Sequence, residues 1–482
     1  MRKKKRITLI ILVLLSALTL GGYIILLNKD RQGKSEEGEK EASIPVTSLD
    51  SEKIAELSYA SPDGEIHLIK ENDTWKLLKE KEFPVNQTYV EDMIEGIVHI
   101  SSTREIKGES DLSQYGIKKP SLSINVRLKD GDNIILKVGY KVPGNGGYYM
   151  KVEGKDSIYV VSDSVYTPFS YKKNELMALE DAPSLSSDNI TKLSVKNGDR
   201  TFEMEYKDDQ WTILKPYESK VPANYSEAAT LLDNYSDFTY KEGAEYKAYD
   251  LTEYGLNKPA ATVTVSYTGG EDAGEGESDA SAKGTSTEGS EDAKGTKAGE
   301  AKTEEKTRTY TLLFGKKTED GDYFVRMKGQ KAVYIMDGST AEGMIDINPF
   351  DYAEKLISTV DISTVKEVQI KSKDSETSMV IKEDGDKTRY LYNKKEMEET
   401  EFKSLYTKII GMQIEREIPS DYHNTGKDPL LSVVFHKKSG KDTDIEYYEY
   451  DKDYAGVSVD GSENFLVDLR RVNDLIKELK EA

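Results

Sequence analysis

One phrase occurs twice in this chain, first as Asp111-Leu112-Ser113-Gln114-Tyr115-Gly116-Ile117-Lys118-Lys119-Pro120 and again as Asp250-Leu251-Thr252-Glu253-Tyr254-Gly255-Leu256-Asn257-Lys258-Pro259. A tryptophan precedes each copy, Trp75 and Trp211. Self-similarity at a fixed offset restricts the chain to tandem units, and its 482 residues are too many for a single core. The surroundings of the phrase align as well. Alternating, strand-like segments at 54–59, 65–69 and 74–78 correspond to 190–195, 201–206 and 210–214. Pro84 and Asn86, or Pro222 and Asn224, then lead into an amphipathic helix with Asn as its cap. Tyr89, Met93, Ile94 and Ile97 share one face of the first helix, and Ala228, Leu231, Leu232 and Tyr235 one face of the second.

After the phrase come strands expected to end at Gly139 or Gly315, then Tyr148-Tyr149-Met150-Lys151-Val152 or Tyr323-Phe324-Val325-Arg326-Met327, and a closing strand at 158–161 or 333–336. A third copy is degenerate. It has strand-like segments at 365–370, 377–381, 388–392, 430–436 and 444–450, a helix at 402–410, and a stretch at 456–466 in place of the Tyr-Tyr segment, but no tryptophan and no Tyr-Gly. Val472, Leu475, Ile476 and Leu479 mark a last helix that closes the array. The expected fold class is therefore α+β: a single N-terminal transmembrane helix followed by three tandem, β-rich mixed α+β repeat units at 51–182, 186–356 and 360–482.

The transmembrane expectation rests on the N-terminus. A basic stub, residues 1–6, precedes an uncharged apolar run at 7–27, about 21 residues, enough at 1.5 Å per residue to span a bilayer core. Basic residues stay on the cytoplasmic side, so the bulk of the chain is expected outside the cell membrane, single-pass. A cleaved secretory signal is the competing reading, but the run is long and lacks a clean small-x-small site. Tyr23 stands where lipidation of the Leu-Gly-Gly stretch at 20–22 would need a cysteine. Residues 28–50, rich in Lys, Glu, Gly and Ser, read as a flexible linker, and 269–306 as a disordered acidic insertion that replaces a hairpin turn in the second repeat.

Composition narrows the chemistry. The chain has no cysteine, which removes disulfides, thiolate metal sites and cysteine nucleophiles. A net charge of −21 argues against nucleic acid and anionic lipid surfaces as partners. The histidines, His67, His99, His423 and His436, show no zinc-binding spacing. Asp451-Lys452-Asp453-Tyr454-Ala455-Gly456 begins like a calcium loop but has Ala455 at the fifth place and Ser462 at the twelfth. Gly144-Asn145-Gly146-Gly147 lacks the Lys and Ser/Thr of a phosphate cradle. No catalytic, cofactor or metal residue is assigned, and the chain is read as a non-enzyme. Tyr115, Gly116, Pro120, Tyr254, Gly255 and Pro259 are read as structural, with a positive φ at each glycine, the proline starting the next strand and the tyrosine packed under the turn. Trp75 and Trp211 are read as core rings, with a carbohydrate platform as the alternative.

The tryptophan, the Asp-Leu-x-x-Tyr-Gly phrase, the glycine of the following strand and the Tyr-Tyr segment, in this order, resemble the bacterial family called domain of unknown function 4340 (DUF4340), over about 54–180 and 190–355 and weakly over 362–482. Such proteins look like extracytoplasmic accessory components of ABC transporters of the gliding-motility type. The resemblance thus implies a membrane-anchored scaffold whose partners are an ABC permease and its auxiliary subunit. A cell-envelope binding module for glycan or peptide, using exposed aromatic rings, is the alternative function.

Overall fold

The computed structural model describes residues 43–61, 64–144, 146–183, 185–269, 307–385, 387–419, 422 and 427–482. The basic stub, the transmembrane segment expected at 7–27, His423 and all of the insertion except Gly269 lie outside the described residues. Among the described residues no helix is long and apolar enough to cross a membrane. The chain divides into two compact units, Met1–Ala178 and Leu179–Ala482.

The first unit holds one antiparallel sheet of nine strands: β1 (Ile44–Pro45), β2 (Ile54–Ser61), β3 (Gly64–Glu71), β4 (Thr74–Leu77), β5 (Ser101–Ile106), β6 (Leu122–Leu128), β7 (Asn133–Lys141), β8 (Tyr148–Val152) and β9 (Ile158–Val161). Their spatial order is β1-β5-β9-β8-β7-β6-β2-β3-β4, and helix α1 (Gln87–Val98) connects β4 to β5. Asn86 caps α1 by accepting from the Thr88 and Tyr89 amides, which satisfies amides that a helix start leaves free. Val90, Met93, Ile94, Ile97 and Val98 form the buried face; Tyr89, expected on it, stands at its margin and stacks on Tyr171 at 4.8 Å.

The second unit holds two more such sheets. One comprises β10 (Ile190–Asn197), β11 (Arg200–Lys207), β12 (Gln210–Lys215), β13 (Val221–Pro222), β14 (Glu242–Glu245), β15 (Ala261–Tyr267), β16 (Arg308–Lys317), β17 (Tyr323–Met327) and β18 (Val333–Met336). Helix α2 (Tyr225–Ser236), capped by Asn224, lies between β13 and β14; α3 (Gly338–Ile345) and α4 (Pro349–Tyr352) follow β18. The other comprises β19 (Val365–Ser372), β20 (Ser375–Asp384), β21 (Lys387–Tyr392), β22 (Lys395–Glu396), β23 (Arg416–Glu417), β24 (Leu431–Lys437), β25 (Thr443–Glu449), β26 (Tyr454–Val459) and β27 (Ser462–Asp468), with α5 (Glu399–Ile410) between β22 and β23 and α6 (Leu469–Glu481) at the end.

All three sheets share one core order. β4-β3-β2-β6-β7-β8-β9-β5 becomes β12-β11-β10-β15-β16-β17-β18-β14 and then β21-β20-β19-β24-β25-β26-β27-β23. The alternating pattern explains the burial: along β15, Ala261, Val263, Val265 and Tyr267 are buried and the residues between them are not. The architecture is β-rich with few helices, three tandem nine-stranded antiparallel sheets, and it includes the third, degenerate copy.

Three expectations need correction. Gly139 and Gly315 do not end their strands; β7 runs on to Lys141 and β16 to Lys317. The stretch at 456–466 is not one strand but the hairpin of β26 and β27, turning at Asp460 and Gly461, both with positive φ. The linker expected to run to residue 50 stops short of that: Ile44 and Pro45 pair with Ser102 and Ser101, and the Val46 and Leu49 amides donate to Ile100 O at 2.8 Å and Val98 O at 3.0 Å. The physical reason is Val46, an apolar side chain only 3% exposed, beside Thr47, whose hydroxyl donates to Ile97 O at 2.7 Å.

Within the second unit the same pairing joins the two sheets. Lys355 O accepts from Ile414 N at 2.8 Å and Ile357 N donates to Met412 O at 3.0 Å, around the bridge between Leu356 and Gln413. Residues 355–357 stand to the third sheet as 44–46 stand to the first. In both cases a 3₁₀ turn follows at the same interval, Ser51–Lys53 capped by Asp50 and Ile362–Thr364 capped by Asp361.

Candidate functional site

The repeated phrase folds into a tight turn laid against the following strand. Gly116 and Gly255 take φ of +74° and +69°, and their amides donate to Ser113 O and Thr252 O. The carbonyl just before each glycine then accepts across to the strand: Tyr140 N donates to Tyr115 O and Lys316 N to Tyr254 O, both at 2.9 Å. A Cβ at Gly139 or Gly315 would lie 2.0 Å from that same carbonyl oxygen. This close approach is why each strand carries a glycine in its interior.

The tyrosine rings brace the turn from the side. Tyr115 meets Tyr149 edge-on at 4.9 Å, and Tyr254 meets Phe324 at 5.1 Å in the same manner. The Tyr254 hydroxyl donates to Glu245 Oε2 at 2.7 Å, and burial together with that carboxylate raises the phenol well above its ordinary range. Pro120 and Pro259 lie two residues ahead of Leu122 and Ala261, where β6 and β15 begin. Trp75 and Trp211 are buried, at 4% and 5% exposure. Sequence reasoning missed Gln87: its amide accepts from Trp75 N at 2.8 Å and donates to Trp75 O at 3.0 Å and Val85 O at 2.8 Å. In the second sheet the Ala223 backbone amide makes the bond to Trp211 O instead.

The most enclosed of the described hollows, about 430 Å³, lies in the second unit. Val221, Ile414, Val457 and Phe465 form apolar walls, while Lys220 and Asp460 stand at its rim. Tyr217 braces it, donating to Glu417 Oε1 at 2.7 Å and meeting Phe465 edge-on at 5.1 Å; burial first, and Glu417 second, push its phenol far up. Asn464 Nδ2 donates to Ser219 Oγ at 2.9 Å beside it. A more open hollow of about 540 Å³ in the first unit is lined by Trp75, Gln87, Ile94 and His99.

The titratable residues are spread out. His67 pairs with Glu56 on the neighbouring strand at 3.0 Å, and His436 with Asp442 in the turn between β24 and β25 at 2.7 Å. The Asp451 carboxylate of the calcium-like stretch accepts from the Asp453 and Tyr454 amides at 2.8 and 2.7 Å, so it closes a turn. Among the described residues no group of histidine and carboxylate side chains is placed to hold a metal ion. What the geometry defines is a tandem array of antiparallel sheets with surface hollows, in which the repeated residues hold turns and edges.

The family model described as Domain of unknown function (DUF4340) matches residues 75–259 and 217–429, and the chain belongs to this family. Each match crosses from one sheet into the next, and the shared stretch contains α2, β14 and the second Tyr-Gly turn. No curated protein and no solved structure matches the chain.

Proposed function

We propose that the protein is a membrane-anchored extracytoplasmic scaffold, an accessory of an ABC-transporter system of the gliding-motility type, and that it works by binding and without catalysis. The observation that carries this is the use of the repeated residues. Tyr115, Gly116 and Gly139, like Tyr254, Gly255 and Gly315, serve to lock a turn onto a strand, so duplication has multiplied a platform and its surfaces. The family membership, the basic stub with its apolar run and the acidic remainder of the chain support the placement. Crosslinking of the full-length protein in its native membrane, followed by mass spectrometry, tests it. Recovery of an ABC permease and its auxiliary subunit is expected; clean isolation without partners would remove the reading.

The apolar-walled hollow of about 430 Å³ favours a second reading, a module binding envelope glycan or peptide. Tyr249, Tyr225 and Tyr140 are exposed rings available for this, whereas both tryptophans are buried. Chemical-shift changes at Tyr ring protons on addition of envelope polymer would support it, and an unperturbed spectrum would dismiss it.

A further inference from the structure

Two of the three sheets end in the same way beside their helix. In the first, Val85 bridges to Met177, with Asn86 N donating to Leu176 O at 2.8 Å and Ala178 N to Pro84 O at 2.7 Å. In the second, Ala223 bridges to Ala353, with Asn224 N donating to Tyr352 O at 2.8 Å and Glu354 N to Pro222 O at 2.9 Å. Both added segments run antiparallel, and their central residues, Met177 and Ala353, are buried. Counting back from α5 in the third sheet, the equivalent edge is Glu396, Met397 and Glu398. Its inner side is occupied: Glu396 pairs with Leu391, and Met397 N donates to Tyr390 O at 2.9 Å. The alternation of an antiparallel pair turns the Glu396 carbonyl and the Glu398 amide outward. Among the described residues no backbone bond reaches either atom. Grooves of about 590 and 540 Å³ flank this edge, and Met397 and Glu401 line both.

We infer that this edge is a strand-addition site for an extended segment of a partner protein, with an apolar residue over Met397 and basic residues beside it. The apolar residue follows from Met177 and Ala353, which fill that place in the other two sheets. The basic flanks follow from charge. Glu376 in one flanking groove and Glu398 and Glu401 at the edge are exposed with no ion pair among the described residues, three carboxylates against one such cation, Lys395, whereas Glu396 and Lys480 are already held by Arg389 and Asp374. An exposed strand edge with grooves on both sides takes peptide by main-chain pairing, and the grooves set side-chain preference. This goes beyond the transporter reading, because any partner carrying such a segment fits.

The chain has no cysteine, so Met397→Cys in the full-length protein provides a single thiol. The probe is a synthetic peptide of residues 171–179 with Met177→Cys, the segment that bridges to Val85 in the first sheet, which carries Lys172 and Lys173. Disulfide trapping is expected to run about tenfold faster at Met397→Cys than at the exposed control Lys441→Cys, and to slow when both peptide lysines are replaced by glutamate. A second measurement uses the chain with native Met397 and the fluorescently labelled peptide. Glu398→Pro removes the outward amide at a φ of −62°, which proline adopts without strain, so binding is expected to fall about tenfold with an unchanged melting temperature. Equal trapping at both positions, or binding indifferent to Glu398→Pro, would overturn the inference. Disulfide-linked dimers of Met397→Cys without peptide would overturn it in favour of a second copy of this chain.

Discussion

Replacing Gly139 by alanine isolates the close approach on which the repeated turn depends. The new Cβ would stand 2.0 Å from Tyr115 O, while a carbon and an oxygen rest at about 3.3 Å or more. The turn and β7 must therefore separate by roughly 1 Å, which breaks the 2.9 Å bond from Tyr140 N to Tyr115 O. The backbone at Gly139 is not left-handed, so the whole cost is steric. Overpacking costs about 1–3 kcal/mol and an unmade buried backbone bond about another 1–3 kcal/mol, roughly 4 kcal/mol together. For a unit of this size that lowers the melting temperature by about 10–20 °C. With Trp211→Phe in place, Trp75 is the single tryptophan and its emission follows the first unit alone. The control is Gly131→Ala, at φ +98° with nothing within 4 Å of its Cβ, which bears only left-handed strain of about 1 kcal/mol. If Gly139→Ala melts no lower than this control, the steric account of the motif fails.

Gln87→Ala removes three hydrogen bonds at the β4 edge and should destabilise the first unit by about 2–4 kcal/mol, read by urea unfolding in the same single-tryptophan background. Asp322 receives Lys241 Nζ at 2.6 Å and the Gly338 amide at 2.9 Å, and these hold its carboxyl below the ordinary value. A carboxyl depressed in the folded state adds stability above the unfolded-chain value of about 3.9 and loses it as pH falls through the lower folded value. Asp322→Asn should therefore destabilise the second unit near neutrality and flatten its acid-unfolding profile below about pH 4; an unchanged profile would dismiss the pair. Tyr267 pairs directly with Arg308, as Leu128 meets Asp132 across the turn Lys129-Asp130-Gly131, so replacing residues 268–307 by Lys-Asp-Gly should leave the second unit's melting temperature within about 3 °C. Tyr217→Phe deletes the bond to Glu417 and should cost the second unit about 1 kcal/mol by denaturant unfolding.

The repetition was legible because it is written in local signals: alternation along strands, Asn86 and Asn224 as helix caps, and a left-handed glycine after tyrosine. The third copy could be followed without the tryptophan or Tyr-Gly, since alternation alone marks β19 to β21. What could not be read needs partners distant in the chain. Gly139 looks like a strand end until the carbonyl of Tyr115 is placed beside it, and Gln87 looks like any polar residue in a first helical turn. Residues 44–49 sit in a low-complexity context, and only the location of Ile100 and Val98 shows that their amides are used. The edge at Met397 is invisible in sequence for the same reason, because it is defined by a bridging segment that the other two sheets carry and that this one lacks among the described residues.

The segments 44–46 and 355–357 each attach to the edge of the sheet that follows them, the latter joining two sheets, through main-chain amides and carbonyls, a chemistry common to every amino acid. Mutation of side chains at such a joint therefore leaves most of its bonding in place. A duplicated unit could accumulate substitutions over long divergence, shedding its tryptophan and its tyrosine-glycine turn, while still being added to the end of the row. Tandem growth and sequence drift are thereby decoupled, which accounts for a third sheet that keeps the strand order of its siblings after losing their most recognisable residues.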